Sequence, residues 1–450
     1  MKKLVLMMVG LFLLSTAYAQ DKEALKAQKE AEKAAKATFK KAKSIYETSI
    51  PNEAFGRKET DFEKLAGALP LIESAVQNEY TNKDIDTWKT AKDIQYEFYT
   101  KENNELKADP DNEQLKKQFL ETNTKLINYC QKYDEYVALD PKMKPEEKSD
   151  IHQKNQIIAA NAALPLLQAA QNASNSDDQE ELKTGVQYAE SFLSLMEKSS
   201  LMKDLEKNTL TKNFTREQID EWLTYAKVFR AQSYFNIEGT PEQTIVSAYE
   251  GLMNTKYKGV AYNSLSNYYR EKDKAKQNKY LKAGIEALKG TDDEQQQSLR
   301  SNFAFVLMQN LYNGGEYEKD GNKDALKQAI QLIKNEFSDD ENAVNAYLME
   351  GQMTFDEKKY AEAKEIYQTA CAKYPDEERC LIMAARSAWM VAQTNGSKKA
   401  DLEEAIKLFK QLEAATPTEP EYWGESLYIL YNNTEQTAQA AKYKKYYKAK

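Results

Sequence analysis

Histidine, cysteine, glycine and proline are all scarce in this chain of 450 residues, which has one histidine, three cysteines, 15 glycines and 10 prolines. A single histidine excludes zinc sites built on several histidines, and it leaves a histidine-based catalytic triad only one position to form around. Three cysteines exclude a dense disulfide framework. The scarcity of glycine and proline, and the lack of a glycine-rich phosphate loop, indicate helices joined by short turns.

The charge balance is acidic, with 71 Asp and Glu against 63 Lys and Arg and a net charge of −8. This disfavours a nucleic-acid backbone or an anionic membrane surface as the partner. A chain of this length exceeds the size at which a single core keeps growing. Several domains or a repeat architecture are therefore expected.

Residues 1–19 predict a signal peptide. Lys2 and Lys3 precede an apolar run, and the segment closes on Ala17 and Ala19, the small residues that signal peptidase reads. The run is shorter than the ~20 residues that a bilayer span requires, and no second run follows. We expect an exported protein, periplasmic or secreted, with no integral membrane segment once the leader is removed.

Residues 346–375 have the pattern of a pair of helices. Gly351 on the first helix is a small residue that allows close approach, and Pro375 ends the unit. The second helix carries an apolar stripe formed by Tyr360, Ala363, Tyr367 and Ala370.

The same positions recur along the chain. Gly351 is followed 34 residues later by Ala385, and Ala329 lies 34 residues before Ala363. The second-helix positions Ala363, Tyr367 and Pro375 recur 42 residues later, at Ala405, Phe409 and Pro417. The eight added residues are expected in the turn near 394–401.

The segment resembles a tetratricopeptide repeat (TPR), of the kind carried by exported Gram-negative envelope proteins. The resemblance is specific over 320–417, looser over 215–320 and 420–450, and only architectural over 48–200. It implies an all-α fold, a right-handed α-solenoid of stacked antiparallel helix pairs, because one such pair cannot bury its apolar face alone.

The predicted organisation has four parts. Residues 1–19 are the signal peptide, and 20–47 form a charged helix rich in Ala, Lys and Glu, expected to be solvated or a coiled-coil arm. Residues 48–200 form divergent TPR-like helix pairs. Residues 201–450 form a TPR solenoid with a C-terminal capping helix, whose basic tail at 441–450 should turn its lysines outward.

Several helix starts carry capping signals. Thr215 with Gln218 and Thr240 with Gln243 predict two capping boxes. Four acidic clusters lack the spacing of a calcium loop and are interpreted as helix caps. They lie at 109–113, 176–181, 291–294 and 338–341.

No catalytic or metal-binding constellation emerges, so neither enzyme activity nor a metal or cofactor is expected. His152 lies in a polar helix start and is interpreted as a solvated surface residue. Cys371 ends one helix and Cys380 opens the next, so a disulfide between them and two packed free thiols both remain open.

The TPR resemblance implies binding of a protein or peptide on a concave face formed by first helices. The implied partner-binding residues are Lys227, Arg230, Asn263, Asn267, Arg270, Gln352, Phe355, Arg386 and Trp389. Arg386 and Trp389 are expected to project together, as in an interface hot spot. Ser301 and Phe305 stand where a carboxylate clamp would need basic side chains, so no such clamp is expected.

Together these features predict a non-enzymatic protein–protein interaction scaffold or assembly factor of the cell envelope, with no nucleic-acid partner. The alternative is a glycan-binding protein of an envelope uptake system, which would need exposed aromatic rings among Trp88, Trp222, Trp389 and Trp423. Neither the identity of the partner nor the oligomeric state follows from the sequence.

Overall fold

The computed structural model describes residues 2–313, 322–340 and 343–447, with residues 2–24 described by their backbone alone. The side chains on which the signal-peptide prediction depends therefore lie outside the described part. No helix within the described ranges is long and apolar enough to span a bilayer.

The first nine α-helices are α1 (Lys2–Ser49), α2 (Phe62–Ala66), α3 (Leu69–Gln77), α4 (Ile85–Ala108), α5 (Glu113–Leu139), α6 (Pro145–Ser174), α7 (Gln179–Leu193), α8 (Arg216–Asn236) and α9 (Glu242–Glu250). The following helices are α10 (Lys258–Tyr269), α11 (Lys274–Ala287), α12 (Glu294–Asn313), α13 (Asn322–Glu336), α14 (Val344–Asp356), α15 (Tyr360–Lys373), α16 (Glu378–Thr394), α17 (Lys399–Ala415), α18 (Gly424–Asn433) and α19 (Thr437–Tyr443).

The chain divides into two compact units, Met1–Gly251 (unit 1) and Leu252–Lys450 (unit 2). Within each unit, helices that follow one another in sequence pack against one another. Most of the connections are short and make these neighbours antiparallel, and the long connection 194–215 joins α7 to α8. The predicted all-α fold of stacked antiparallel helix pairs is confirmed.

Each unit buries its own apolar residues. In unit 1, Leu126 and Phe192 belong to a cluster between α5, α6 and α7. In unit 2, Phe303 and Ile330 lie in a cluster between α11, α12 and α13, while Phe409 lies in another between α16, α17 and α18. Every pair therefore depends on the next one to cover its apolar face.

The predicted register of the helix pairs is confirmed in unit 2. Ala363 and Tyr367 on α15 are fully buried, and so is Ala405 on α17. A Cβ atom added to Gly351 would lie 2.5 Å from two carbon atoms of the Tyr367 ring. Glycine is thus required for α14 and α15 to approach this closely.

The eight residues added to the pair α16–α17 were expected to enlarge the turn between the two helices. They do not. Compared with α14, α16 is four residues longer, and α17 is three residues longer than α15. The turn at 395–398 is only one residue longer than the turn at 357–359. The addition thus mainly extends the helices, and only residues 395–398 remain as the turn.

One of the two predicted capping boxes is present. The Thr215 hydroxyl accepts from the Gln218 N–H at 3.2 Å, and the Gln218 side chain accepts from the Thr215 N–H at 3.1 Å. The box predicted at Thr240 is wrong. The Thr240 hydroxyl donates to the Ile237 carbonyl instead, and Pro241, which has no N–H, is the N-cap residue of α9.

The acidic clusters act as caps at two of their four positions. Asp178 accepts from two backbone N–H groups of α7, and Asp293 accepts from one N–H group of α12. At 109–113 the cap is Asn112 rather than a carboxylate, and α14 has no side-chain cap. Among the described residues, no group of three or more potential ligands could hold a metal ion.

The N-terminal segment 20–47 departs from its prediction, whereas the C-terminal tail follows it. The solvated-arm interpretation of 20–47 is wrong for its second half, because Phe39 and Ala42 on α1 are buried against α3. At the other end, Tyr443 is buried and Tyr446 packs on Trp423, while the neighbouring lysines are exposed as predicted.

Candidate partner-binding surface

The first helices of the pairs in unit 2 are α10, α12, α14 and α16. Each packs on its own second helix, and in addition α10 contacts α12 and α14 contacts α16. The first helices α10 and α12 are therefore neighbours, and so are α14 and α16. Seven of the nine implied binding residues lie on or at the end of α10, α14 and α16.

On α10 the structure exposes a polar edge. Asn267 and Arg270 are both exposed, whereas Asn263 is partly buried. The backbone N–H of Arg270 donates to the Asn267 carbonyl at 3.2 Å, which ends the helix and leaves both side chains available to solvent.

On α12 the corresponding positions are closed, as the sequence indicates. Ser301 is buried and donates to an Asp340 carboxylate oxygen at 3.1 Å, and Phe305 is buried in the core. These two side chains of α12 therefore pack against neighbouring elements.

The α14 residues are already engaged within the helix pair. The Gln352 amide donates to Asp356 at 2.7 Å, and the Phe355 ring packs edge-on to Tyr360 with centroids 4.9 Å apart. Both side chains are partly buried. Both therefore make contacts within the pair α14–α15.

Arg386 and Trp389 on α16 do not project together. Arg386 is exposed and has no hydrogen bond or ion pair in the described part of the chain. Trp389 is partly buried and packs edge-on against Phe409 of α17, with ring centroids 6.0 Å apart. The expectation that Trp389 lies outside the packing is therefore wrong, because its large ring covers the apolar face between α16 and α17.

The remaining two implied residues, Lys227 and Arg230, lie on α8 in unit 1. The Lys227 ammonium forms an ion pair of 2.5 Å with Glu197. Arg230 is partly buried, and its Nε atom is buried without a hydrogen-bond partner among the described residues. Neither is an unengaged surface cation.

His152 is not a free surface residue, contrary to the sequence interpretation. Its Nδ1 atom lies 2.9 Å from a carboxylate oxygen of Asp134, and Asp134 is 7% exposed. The hydrogen bond to Asp134 raises the pKa of His152, against the opposing effect of burial. His152 thus joins α6 to α5, a tertiary contact that helix periodicity does not reveal.

Cys371 and Cys380 are neighbours across the turn between α15 and α16, and both are free thiols. The hydrogen bond with Cys371, together with burial, raises the pKa of Cys380. Cys130 lies elsewhere, on α5, where burial raises its pKa to about 12. The proximity predicted for the first two cysteines is present, and of the two alternatives left open the structure has the two free thiols.

The tryptophans give no support to a glycan platform. The Trp88 indole is buried and donates to the Asn82 carbonyl at 2.6 Å, and that of Trp423 is buried and donates to Thr416 at 2.9 Å. Trp222 packs edge-on with Phe214 and, like Trp389, is partly buried. An exposed ring for stacking on a sugar would have to come from another residue type.

A groove on α11 is absent from the sequence-based expectations. Lys274, Asn278 and Lys282 recur every four residues and line it together, facing Asn310 of α12. The four-residue spacing was a usable signal for one polar face of a helix. The sequence did not show that α12 would face it with amides.

Comparisons with known proteins give limited information. No protein-family model matches the chain, and no curated protein matches it. The TPR domain of P58(IPK) aligns with 14% identity over 91% of this chain and 98% of its own, with a TM-score of 0.24.

Two further solved structures are similar at the same level. A chain of Naa15/Naa10 bound to HypK-THB has 13% identity over 84% of this chain and 60% of its own, with a TM-score of 0.25. A circular tandem repeat protein has 13% identity, covers 92% of this chain and 95% of its own, and has a TM-score of 0.21. Superposition is poor at such scores, and the fold described above rests on the chain's own helix packing.

Proposed function

We propose that this chain is a non-enzymatic interaction scaffold or assembly factor that binds a protein or peptide with the first-helix side of unit 2. The guanidinium of Arg386 carries this proposal, because it is exposed and has no ion-pair partner in the described part of the chain. In an acidic chain, an arginine without a carboxylate partner is free to pair with an acidic group of another molecule.

Arg270 and Asn267 at the end of α10 support the same surface. Both are exposed on a first helix, as Arg386 is, and arginine is enriched among residues that dominate binding energy. Trp389 contributes by holding α16 in place through its packing on Phe409 rather than by direct contact.

The experiment begins with crosslinking and affinity capture by the tagged full-length chain, followed by identification of what it retains. Binding of the purified partner is then measured for Arg386→Ala. The expected loss is about 2 kcal/mol of binding free energy, the scale of a hot spot. The thermal stability should not change, because the side chain is exposed and unpaired.

Lys407→Ala is the matched control, since Lys407 is an exposed cation on α17, the second helix of the same pair. It should bind like the unmodified chain. If Arg386→Ala and Arg270→Ala both bind normally, the first-helix side is not the partner surface. If capture retains no specific protein, the scaffold proposal fails.

We also propose that the chain is exported and acts in the cell envelope. The support is the leader pattern of residues 1–19. Mass spectrometry of the native protein should find an N-terminus at Gln20 in an envelope fraction. An intact Met1 terminus would contradict export.

A further inference from the structure

A groove with a volume of about 1170 Å³ runs along α11 in unit 2, between that helix, the end of α12 and the start of α13. Its polar lining comes from Lys274, Asn278, Lys279, Lys282, Glu286, Gln309, Asn310, Asn313 and Asn322. The groove lies mainly on the second helix α11, and it includes none of the nine implied partner-binding residues.

A buried side chain organises the lining. Gln277 is 1% exposed, and its Oε1 atom accepts from the Lys274 ammonium at 3.2 Å and from the Asn310 amide at 2.9 Å. The same Asn310 amide nitrogen donates to Asn278 at 2.9 Å. Three groove residues from two helices are thus held in place before any ligand arrives, which lowers the entropic cost of binding.

The described lining residues carry three lysines against one glutamate, in a chain of net charge −8. Lys274, Lys279 and Lys282 are exposed, and in the described part of the chain none of them forms an ion pair. Glu286 is the single acidic residue among the described lining residues. Such a concentration of unpaired positive charge attracts anionic groups.

The lining chemistry discriminates between classes of anion. Lysine only donates hydrogen bonds, whereas asparagine and glutamine both donate and accept. A polyphosphate consists mainly of acceptors and would offer nothing to the amide oxygens of Gln309, Asn313 and Asn322, which accept no hydrogen bond in the described part of the chain. A peptide offers backbone N–H and C=O groups to the amides, and acidic side chains to the lysines.

Two further properties favour a peptide. No aromatic residue occurs among the described lining residues, so neither a sugar ring nor a nucleobase has a surface to stack on. The groove also exceeds the roughly 300–1,000 Å³ of a typical small-molecule pocket, which is mostly apolar.

We propose that this groove binds an extended acidic peptide segment of another protein, with Lys274, Lys279 and Lys282 pairing with its carboxylates and the Asn278 amide nitrogen, which donates no hydrogen bond in the described part of the chain, pairing with its backbone. The proposal goes beyond the first-helix surface and stands whether or not that surface binds a partner.

The test uses a fluorescent decaglutamate peptide and the full-length chain, with binding followed by anisotropy at low and physiological salt. The double variant K274Q/K282Q should weaken binding by about tenfold, the scale of two exposed ion pairs. K327Q/K407Q removes the same charge from α13 and α17, at lysines that are exposed and form no ion pair within the described ranges, and should bind almost normally.

Lys279→Gln provides a second measurement, because the Lys279 side chain takes no part in the amide network. It keeps the proposal testable if K274Q/K282Q lowers the melting temperature. The proposal is overturned if decaglutamate does not bind, or if both double variants weaken it equally. It is also overturned if inorganic polyphosphate binds the same lysines more tightly than decaglutamate, which would assign the groove to acceptor-only anions.

Discussion

The contact between Gly351 and Tyr367 leads to the sharpest stability prediction. In Gly351→Ala the new Cβ would lie 2.5 Å from the Cε1 and Cζ atoms of the Tyr367 ring and 3.0 Å from its Cδ1 atom. Carbon atoms in contact normally lie about 3.5–4.0 Å apart. The ring or the helix must therefore move by about 1 Å, and Tyr367 is fully buried, so its ring has no open space to move into.

Two opposing effects determine the magnitude. Alanine is favoured over glycine inside a helix by about 1 kcal/mol. Overpacking a core costs about 1–3 kcal/mol, and more where several atoms clash. Because three ring atoms are involved, the clash should exceed the helical gain, and we expect a net loss of about 2 kcal/mol in the free energy of unfolding.

The assay is urea unfolding followed by tryptophan fluorescence and circular dichroism. Gly251→Ala is the control, because its Cβ would approach only backbone oxygens, at 3.4 and 3.5 Å, with φ at −61°. That variant should be neutral or slightly stabilised. In a double-mutant cycle, Tyr367→Leu should relieve the effect of Gly351→Ala by at least ~1 kcal/mol. A Gly351→Ala variant as stable as the control would refute the close-approach argument.

Three further predictions concern single contacts. The hydrogen bond to Asp134 raises the pKa of the only histidine, His152. The stability that this bond contributes is therefore complete at low pH and is lost as the pH rises through the folded-state pKa. Urea unfolding from about pH 6 upward should show a falling free energy of unfolding, and that slope should be absent in His152→Gln. The Tyr367 hydroxyl is buried with no partner among the described residues, so Tyr367→Phe should melt at the same temperature or higher, whereas a loss above ~1 kcal/mol would indicate a missed partner. Thiol counting on the mature protein after unfolding should give three free thiols. A count of one, with Cys371 and Cys380 linked by a disulfide, would show that they are bridged.

The local pattern was enough to predict the helix pairs of unit 2. Gly351, Ala363 and Phe409 are spaced by helix geometry and buried accordingly, because periodicity reports directly on which face is covered. The helix cap at Thr215 could be predicted in the same way, since both of its hydrogen bonds are with Gln218, within one turn.

Contacts between distant residues could not be predicted in the same way. His152 reaches Asp134 across two helices, and Trp389 turns toward Phe409 rather than toward Arg386. Spacing along one helix places residues on a face but does not say what the facing helix offers. The candidate groove shows the same limit, because it needs the amides of α12 as well as the lysines of α11.

The added length in α16 and α17 has a consequence for how this chain tolerates insertions. An α-helix has 3.6 residues per turn, so the extra four and three residues each amount to nearly one whole turn. Such additions rotate the following side chains by only about 40–60° and leave Ala405 and Phe409 buried. An insertion of one or two residues within a helix would rotate them by about 100 or 200° and turn them to solvent. Changes in the length of these helices should therefore be accepted in steps of one turn, while changes of other sizes should be confined to the connections.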